Sequence, residues 1–287
     1  MSGPSFSVLP HRGVIAVSGE DRVAFLQGLI SNDVAKAAPG HAVWAALLTP
    51  QGRFLNDMFV VDAGFNTLLL ETERERAPAL ARKLALYKLR SKVTVDDRSA
   101  AMDVAVVFGP GAEKHNAVPS ALSYVDPRLP ALGVRVLLPK GDAAKLLGLP
   151  EAPLADYDAL RLQLGVPDGS RDLPVEKALL LESGFDELNG VDWQKGCYMG
   201  QELTARTKYR GLVKRRLFPV RIEGRLPAPG TAVKLDGKEV GEIRSGQGDR
   251  AIAMLQLEAR QGPLTADEAR VVPEVPAWMR LPEIATS

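Results

Sequence analysis

Apolar positions near the start of the chain recur at helical spacing and then give way to continuous runs. Val23, Leu26, Ile30 and Val34, with Phe25 and Leu29 beside them, predict an amphipathic helix over residues 21–35. Ser18 and Asp21 precede it in a capping-box pattern. Residues 42–48, a continuous apolar run, and 54–62 read as two strands around the turn Thr49-Pro50-Gln51-Gly52. A third strand is expected over 67–71. A largely helical stretch follows over 72–88, broken or restarted at Pro78, and a strand returns over 92–96.

A similar order of elements repeats without residue-level identity. Residues 102–108 read as a buried strand, Gly109-Pro110-Gly111 as its exit into a short helix, 132–138 as a strand and 142–147 as another short helix. Tyr157, Leu160, Arg161 and Leu164 share one face of a connecting helix over 156–164. From Lys214 the pattern turns all-β. Short strands are expected over 216–222, 232–235, 238–244, 251–256 and 269–272, with a hairpin at Asp236-Gly237. The Pro- and Gly-rich residues 224–230 read as a loop, and the tail with Pro273, Pro276 and Pro282 as extended cover. The expected organisation is α+β: a first subdomain over 1–98, a second over 99–212, and a C-terminal β-barrel or sandwich with its tail over 213–287.

Composition narrows the class. The chain has 287 residues, 46% hydrophobic and 25% charged, which is ordinary for a globular protein of about two domains. The longest strictly apolar run, 42–48, is far short of the roughly 20 residues of a membrane helix, so no membrane partner is expected. The opening MSGPSFSVLPHRG shows no long apolar or Arg-rich targeting pattern, from which a cytoplasmic, bacterial location is expected. With 36 Lys and Arg against 35 Asp and Glu, net charge is +1, which argues against a bulk polyanion binder. His11, His41 and His115 are widely spaced and Cys197 is the single cysteine, so an internal disulfide and a self-contained zinc or cluster site are both excluded from expectation.

The chemistry concentrates in VDWQKGCYMGQELTARTKYRG, residues 191–211. Gly196 and Gly200 bracket Cys197 and permit close approach of a ligand or partner backbone. Lys195, Arg206, Lys208 and Arg210 are nearby cations of the kind that favour thiolate over thiol. Trp193 and Tyr198 offer faces for stacking, and Gln201 and Glu202 offer an amide and a carboxylate for a heterocycle edge. Two readings of the lone thiol stand: a functional group at a cleft surface, or a small apolar residue packed under the loop. Gly109–Lys114 lacks the third glycine of a dinucleotide loop and is discounted as one.

KGCYMGQE, residues 195–202, resembles the K-G-C-[FY]-x-G-Q-E signature of the YgfZ family, folate-binding relatives of the glycine-cleavage T-protein whose mitochondrial members are iron–sulfur cluster assembly factors. FLQGLISNDV, LLTPQGRFLNDMFVV, YKLRSKV and DPRLPALGVRVL are similar to further family stretches in the same order, over about residues 6–256. The resemblance implies a T-protein-like folate-binding body of two α+β subdomains with a small C-terminal β-barrel. It implies tetrahydrofolate or a derivative as cofactor. Asp57, Tyr87, Gln163, Trp193, Lys195, Gln201 and Glu202 would be the binding residues, with Cys197 the functional thiol and one ligand in a shared metal site. Iron–sulfur assembly proteins and client enzymes are the implied partners.

The chain departs from the T-protein pattern in two places. The paired acids of that pattern are Asn56 and Asp57 here, and the glutamate of its R-L-E-A-G stretch is Gln163. An amide does not act as a general base, so aminomethyl transfer is the alternative reading. A lesser alternative is a tRNA-linked role through Arg206, Lys208, Arg210, Lys214, Arg215 and Arg216, which would equally suit a polyglutamyl folate tail.

Overall fold

The computed structural model describes residues 3–281; Pro282 of the expected tail lies outside them. The chain divides into two compact units. The first comprises the residues up to Tyr157 together with Asn189–Gln201, and the second comprises Asp158–Leu188 and the residues from Glu202 onward.

The first unit holds two antiparallel sheets. Its strands are β1 (Ser5–Val8), β2 (Arg12–Ser18), β3 (Val43–Leu48), β4 (Phe54–Gly64), β5 (Thr67–Glu73), β6 (Thr94–Asp97), β7 (Met102–Phe108), β8 (Leu122–Val125) and β9 (Val134–Pro139). One sheet has the order β3-β4-β5-β2-β6 and the other β1-β7-β9-β8. Val14, Ile15, Ala16 and Val17 are all buried, as are all six residues of β3. That is why the sequence shows continuous apolar runs rather than alternation: these strands are covered on both faces. Two helices, α1 (Arg22–Gln27) and α2 (Ala77–Tyr87), contact the first sheet, while β2 contacts β7 of the second. Pro78 sits in the first turn of α2, where its missing N–H costs nothing. A short α3 (Ala143–Leu147) closes the second sheet's core around Phe6, Val107, Val134, Val136 and Leu138.

The expected helix over 21–35 is corrected to six residues. It ends at Gly28; Ile30 then bridges to Leu47 and the Ser31 N–H donates to the Ala46 carbonyl, so the chain joins the sheet edge instead. Asp21 makes no capping bond either; its Oδ2 accepts from the Lys92 N–H at 2.7 Å. Tertiary hydrogen bonds have outcompeted helical periodicity here.

Helix α4 (Leu154–Leu164) carries the chain from the first unit's residues into the second's. The second unit adds α5 (Gly169–Asp172), α6 (Gln201–Tyr209, from its second residue) and strands β10 (Arg215–Glu223), β11 (Ala232–Leu235), β12 (Lys238–Gln247), β13 (Arg250–Gln256), β14 (Leu264–Ala266) and β15 (Ala269–Pro273). The strands close as a barrel in the order β10-β13-β12-β11-β14-β15, filled by Phe218, Val220, Ile243, Leu255, Leu264 and Val271. Asp236 (φ 49°) and Gly237 (φ 78°) form the tight hairpin the sequence calls for. Arg161 and Asp172 lock onto it: Arg161 donates to Asp172 at 3.0 Å and to Ser245 at 2.7 Å, and the Ser245 hydroxyl donates to Asp172 at 2.6 Å.

Candidate functional site

Cys197 lies at the tip of a loop in the first unit that is braced on both sides. On the near side, Asp192 accepts from the N–H groups of Gln194 (2.7 Å) and Lys195 (3.0 Å) and pairs with Lys36 at 2.5 Å. The Lys195 ammonium then donates to the carbonyls of Gln27 (2.7 Å), Ile30 (2.6 Å) and Asn32 (2.9 Å), where α1 ends. An ammonium has three donors, and all three are used. Burial pulls the Lys195 pKa down to about 8, against the opposing charges of Asp33 and Asp192. On the far side, the Met199 N–H donates to the Gly28 carbonyl at 3.1 Å, and Gln201 accepts from the Tyr198 N–H at 3.1 Å.

The two glycines have different work. At Gly200 (φ +79°) a Cβ would stand 2.4 Å from the Thr49 carbonyl oxygen and 3.1 Å from Gly52 Cα, so the loop is seated directly on the β3–β4 turn. The close approach read from the sequence is made there by the chain's own backbone. A Cβ at Gly196 would meet nothing within 4 Å. Cys197 beside it is exposed. The frame therefore fixes a tip and leaves its thiol in the open, which removes the reading of Cys197 as a packed core residue.

The other expected site residues are dispersed. Trp193 is half-buried in the same loop, and Tyr198 is buried with the Lys195 ammonium 5.1 Å from its ring centroid. Tyr87 ends α2, in a shallow cleft shared with Asp21, Lys88, Leu89, Arg90 and Ser91. Gln163 and Glu202 are exposed residues of the second unit. Of the basic stretch, Lys208 pairs with Asp186 (2.5 Å), Arg216 with Glu187 (2.8 Å) and Arg215 with Glu182 (3.6 Å), so half of its six cations already serve the fold.

Asp57 belongs to a feature that the sequence reading missed. Its Oδ2 accepts from the Trp44 indole N–H at 3.1 Å, and its Oδ1 lies 3.5 Å from Arg12 without a hydrogen bond. Arg12 in turn donates to Glu71 at 2.9 Å. Glu71 also accepts from Arg135 (2.8 Å) and from the Tyr124 hydroxyl (2.6 Å). Arg128 forks onto Asp126 at 3.0 and 2.7 Å, and Arg135 lies 3.5 Å from the same carboxylate. The guanidinium carbons of Arg12, Arg128 and Arg135 stand 5.7, 4.8 and 4.5 Å from the Phe59 ring centroid. Three buried arginines thus face three buried carboxylates around one aromatic ring. Next to Asp57, the Asn56 Nδ2 is buried without a hydrogen-bond partner.

Comparison with known proteins fits the fold. Residues 9–120 match the GCVT N-terminal domain family, and residues 214–281 match the CAF17 C-terminal beta-barrel domain. The chain is 36% identical over 298 residues to the mitochondrial iron–sulfur cluster assembly factor IBA57 of Homo sapiens, covering 94% of this chain and 84% of that protein. Against the Mus musculus counterpart the identity is 36% over 282 residues, covering 89% and 78%. The glycine cleavage system aminomethyltransferase T of Bartonella henselae superposes with a TM-score of 0.77 at 17% identity, covering 94% of this chain and 84% of that one, which establishes a T-protein-like fold. The cytoplasmic, bacterial location expected from the first residues is overturned by these relatives, which are named as mitochondrial. That expectation rested on the composition of a short segment, which does not specify a compartment. On identity above one third across nearly its whole length, the chain belongs to the IBA57-like branch of the T-protein-related family.

Proposed function

We propose that the protein supports the assembly of iron–sulfur clusters in client proteins, with Cys197 as the group that meets the cluster, and that its first unit holds a reduced folate. The observation that carries the first part is the braced loop: Lys195, Asp192 and Gly200 spend their interactions on fixing the backbone, and the thiol they present stays exposed. The names of the relatives support the same reading. Among the described residues no three His, Cys, Asp or Glu side chains gather as a metal site. A cluster at Cys197 therefore draws its other ligands from partner and client proteins, with one thiolate here taking part in a transient, shared site. Within the family, the resemblance of the octad Lys195–Gly196–Cys197–Tyr198–Met199–Gly200–Gln201–Glu202 to the YgfZ signature supports placing the chain beside the YgfZ-type members.

The folate part is supported by two buried polar atoms. Asp57 Oδ1 is a buried acceptor and Asn56 Nδ2 a buried donor, each without a hydrogen bond. A pterin carries ring and amino N–H donors as well as acceptors, so either atom suits it, although neighbours on one strand face opposite sides of the sheet and a single ring meets only one of them. Asp57 would hold the ring edge, with Trp193 supplying an aromatic face and Gln201 an amide. Lys195 acts differently from the sequence expectation: with its three donors taken, it positions the loop.

Cys197→Ser tests the cluster reading in cells lacking their own family member, with iron–sulfur enzyme activity as the readout and thermal melting as the control. Loss of that activity with an unchanged melting temperature is expected. Full activity in the folded variant sinks the reading. Calorimetric titration with tetrahydrofolate tests the second part, and binding that Asp57→Asn leaves untouched removes Asp57 from it.

A further inference from the structure

We propose that one end of the first unit's five-stranded sheet docks on an anionic lipid surface, through the exposed side chains Phe65 and Leu89 and the unpaired cations around them. The inference is independent of the cluster and folate readings.

Three loops meet at this end. Ser18, the last residue of β2, pairs with Thr67 of β5 on one side and Thr94 of β6 on the other. The turn at Phe65-Asn66 and the loop over 88–93 therefore leave the sheet beside each other. They are tied to the intervening turn: the Gly19 N–H donates to the Asn66 carbonyl at 2.9 Å, and the Lys92 N–H donates to Asp21 at 2.7 Å. From this platform Phe65 projects with 103% relative exposure, Leu89 with 88% and Leu86 with 77%. These are half of the six exposed large hydrophobic residues among those described.

The backbone shows that exposure here is costly. Phe65 (φ 47°) and Asn66 (φ 56°) form a tight turn whose first position ordinarily takes Asn, Asp or Gly, and Leu89 is held at φ 43°. Bulky residues persist in left-handed backbone where something offsets the strain. Packing within the unit does not, because both side chains are in solvent.

Charge selects the occupant. Arg22, Lys83, Lys88 and Arg90 surround the tips, and none forms an ion pair among the described residues. Lys92 is paired with Glu20 at 2.9 Å, and Asp21 is spent on a backbone N–H. The surface is thus net positive and carries apolar tips, the combination that partitions into an anionic interface. A protein socket is the less fitting partner. The apolar groups are separate side chains, Phe65 on a hairpin turn, Leu86 on α2 and Leu89 on the loop after it, whereas a stable protein interface needs a contiguous patch of about 800 Å² on each side. The sequence offers no segment able to span a bilayer, and surface docking requires none.

The test is co-sedimentation of the full chain with phosphatidylcholine vesicles, with and without about 30 mol% phosphatidylserine. Binding is expected to the anionic vesicles alone, and to fall in about 0.5 M salt as screening shortens the reach of the cations. Phe65→Asn and Leu89→Asn put into each tip a residue that its backbone accepts. Together they are expected to melt no lower than the wild type while weakening vesicle binding at least about ten-fold. A wild-type chain that ignores anionic vesicles overturns the proposal. So does a double variant that binds them as the wild type does. If the variant folds and loses function in cells while the wild type shows no lipid binding, the patch serves an acidic protein and the lipid assignment is wrong.

Discussion

Lys195 is the residue on which the loop turns. Its charge is read from the sequence as an influence on the neighbouring thiol, but its ammonium faces three carbonyls at the end of α1. Spacing along the chain says which residues are near in sequence; it does not say which way a long side chain folds back. Replacing Lys195 by Met leaves those carbonyls short of donors and is expected to cost about 2 kcal/mol or more in denaturant unfolding. The pH dependence has a definite sign. Burial lowers the Lys195 pKa from 10.5 to about 8, so between these values the folded chain binds fewer protons than the unfolded chain. Its contribution to stability therefore rises with pH across that window. Wild type should gain stability relative to Lys195→Met between about pH 8 and 10; a constant difference between the two would show that Lys195 keeps an ordinary pKa.

At the level of elements, the strands were largely legible and the connections were not. The strands expected over 42–48, 54–62 and 102–108 coincide with β3, β4 and β7, and their apolar stretches 42–48, 58–61 and 104–108 are continuous because they are buried on both sheet faces. The run after Asp21 looked like a long helix because Ile30 and Val34 continue its period, yet both serve other contacts: Ile30 bridges to Leu47, and Val34 opens a short 3-10 turn. The glycines of the Cys197 loop divide in the same way. Their presence flagged the element; only the structure separates their roles. Gly200→Ala places a methyl 2.4 Å from a backbone oxygen at a left-handed φ and should destabilise by at least about 2 kcal/mol. Gly196→Ala meets open space and should change stability by no more than about 0.5 kcal/mol. Equal losses in chemical denaturation would contradict the seating of the loop on the β3–β4 turn.

For the molecule as a whole, the largest feature hidden from sequence reading is the ion network of the first unit. Arg12, Asp57 and Glu71 come from three separate strands and Asp126, Arg128 and Arg135 from one later stretch; the sequence marks Asp57 as a binding residue and residues 126–137 as a family similarity, but not that the six meet. Their value appears when β2 and β5 of one sheet meet β8 and β9 of the other: Glu71 accepts from Arg12 on its own sheet and from Arg135 and Tyr124 on the second. Burial alone would raise the Glu71 pKa. The charges of Arg135 and Arg12, with hydrogen bonds from Arg135 and Tyr124, outweigh it and hold the value at about 2, below the ordinary 4.5. A carboxylate depressed in this way stabilises the fold above its unfolded pKa and loses that contribution as pH falls from about 4.5 toward 2. Glu71→Gln removes the charge but keeps the shape. It leaves Arg12 and Arg135 buried with too few acids, for an expected loss of about 3–5 kcal/mol at neutral pH. The loss should shrink as the solution is acidified, because the wild type then surrenders the same charge. Trp44 lies in the network, bonded to Asp57, and with Trp193 and Trp278 supplies the fluorescence that follows urea unfolding. A neutral-pH difference below about 1 kcal/mol, the range of exposed pairs, would mean that the network is dispensable and that hydrophobic packing alone joins the two sheets.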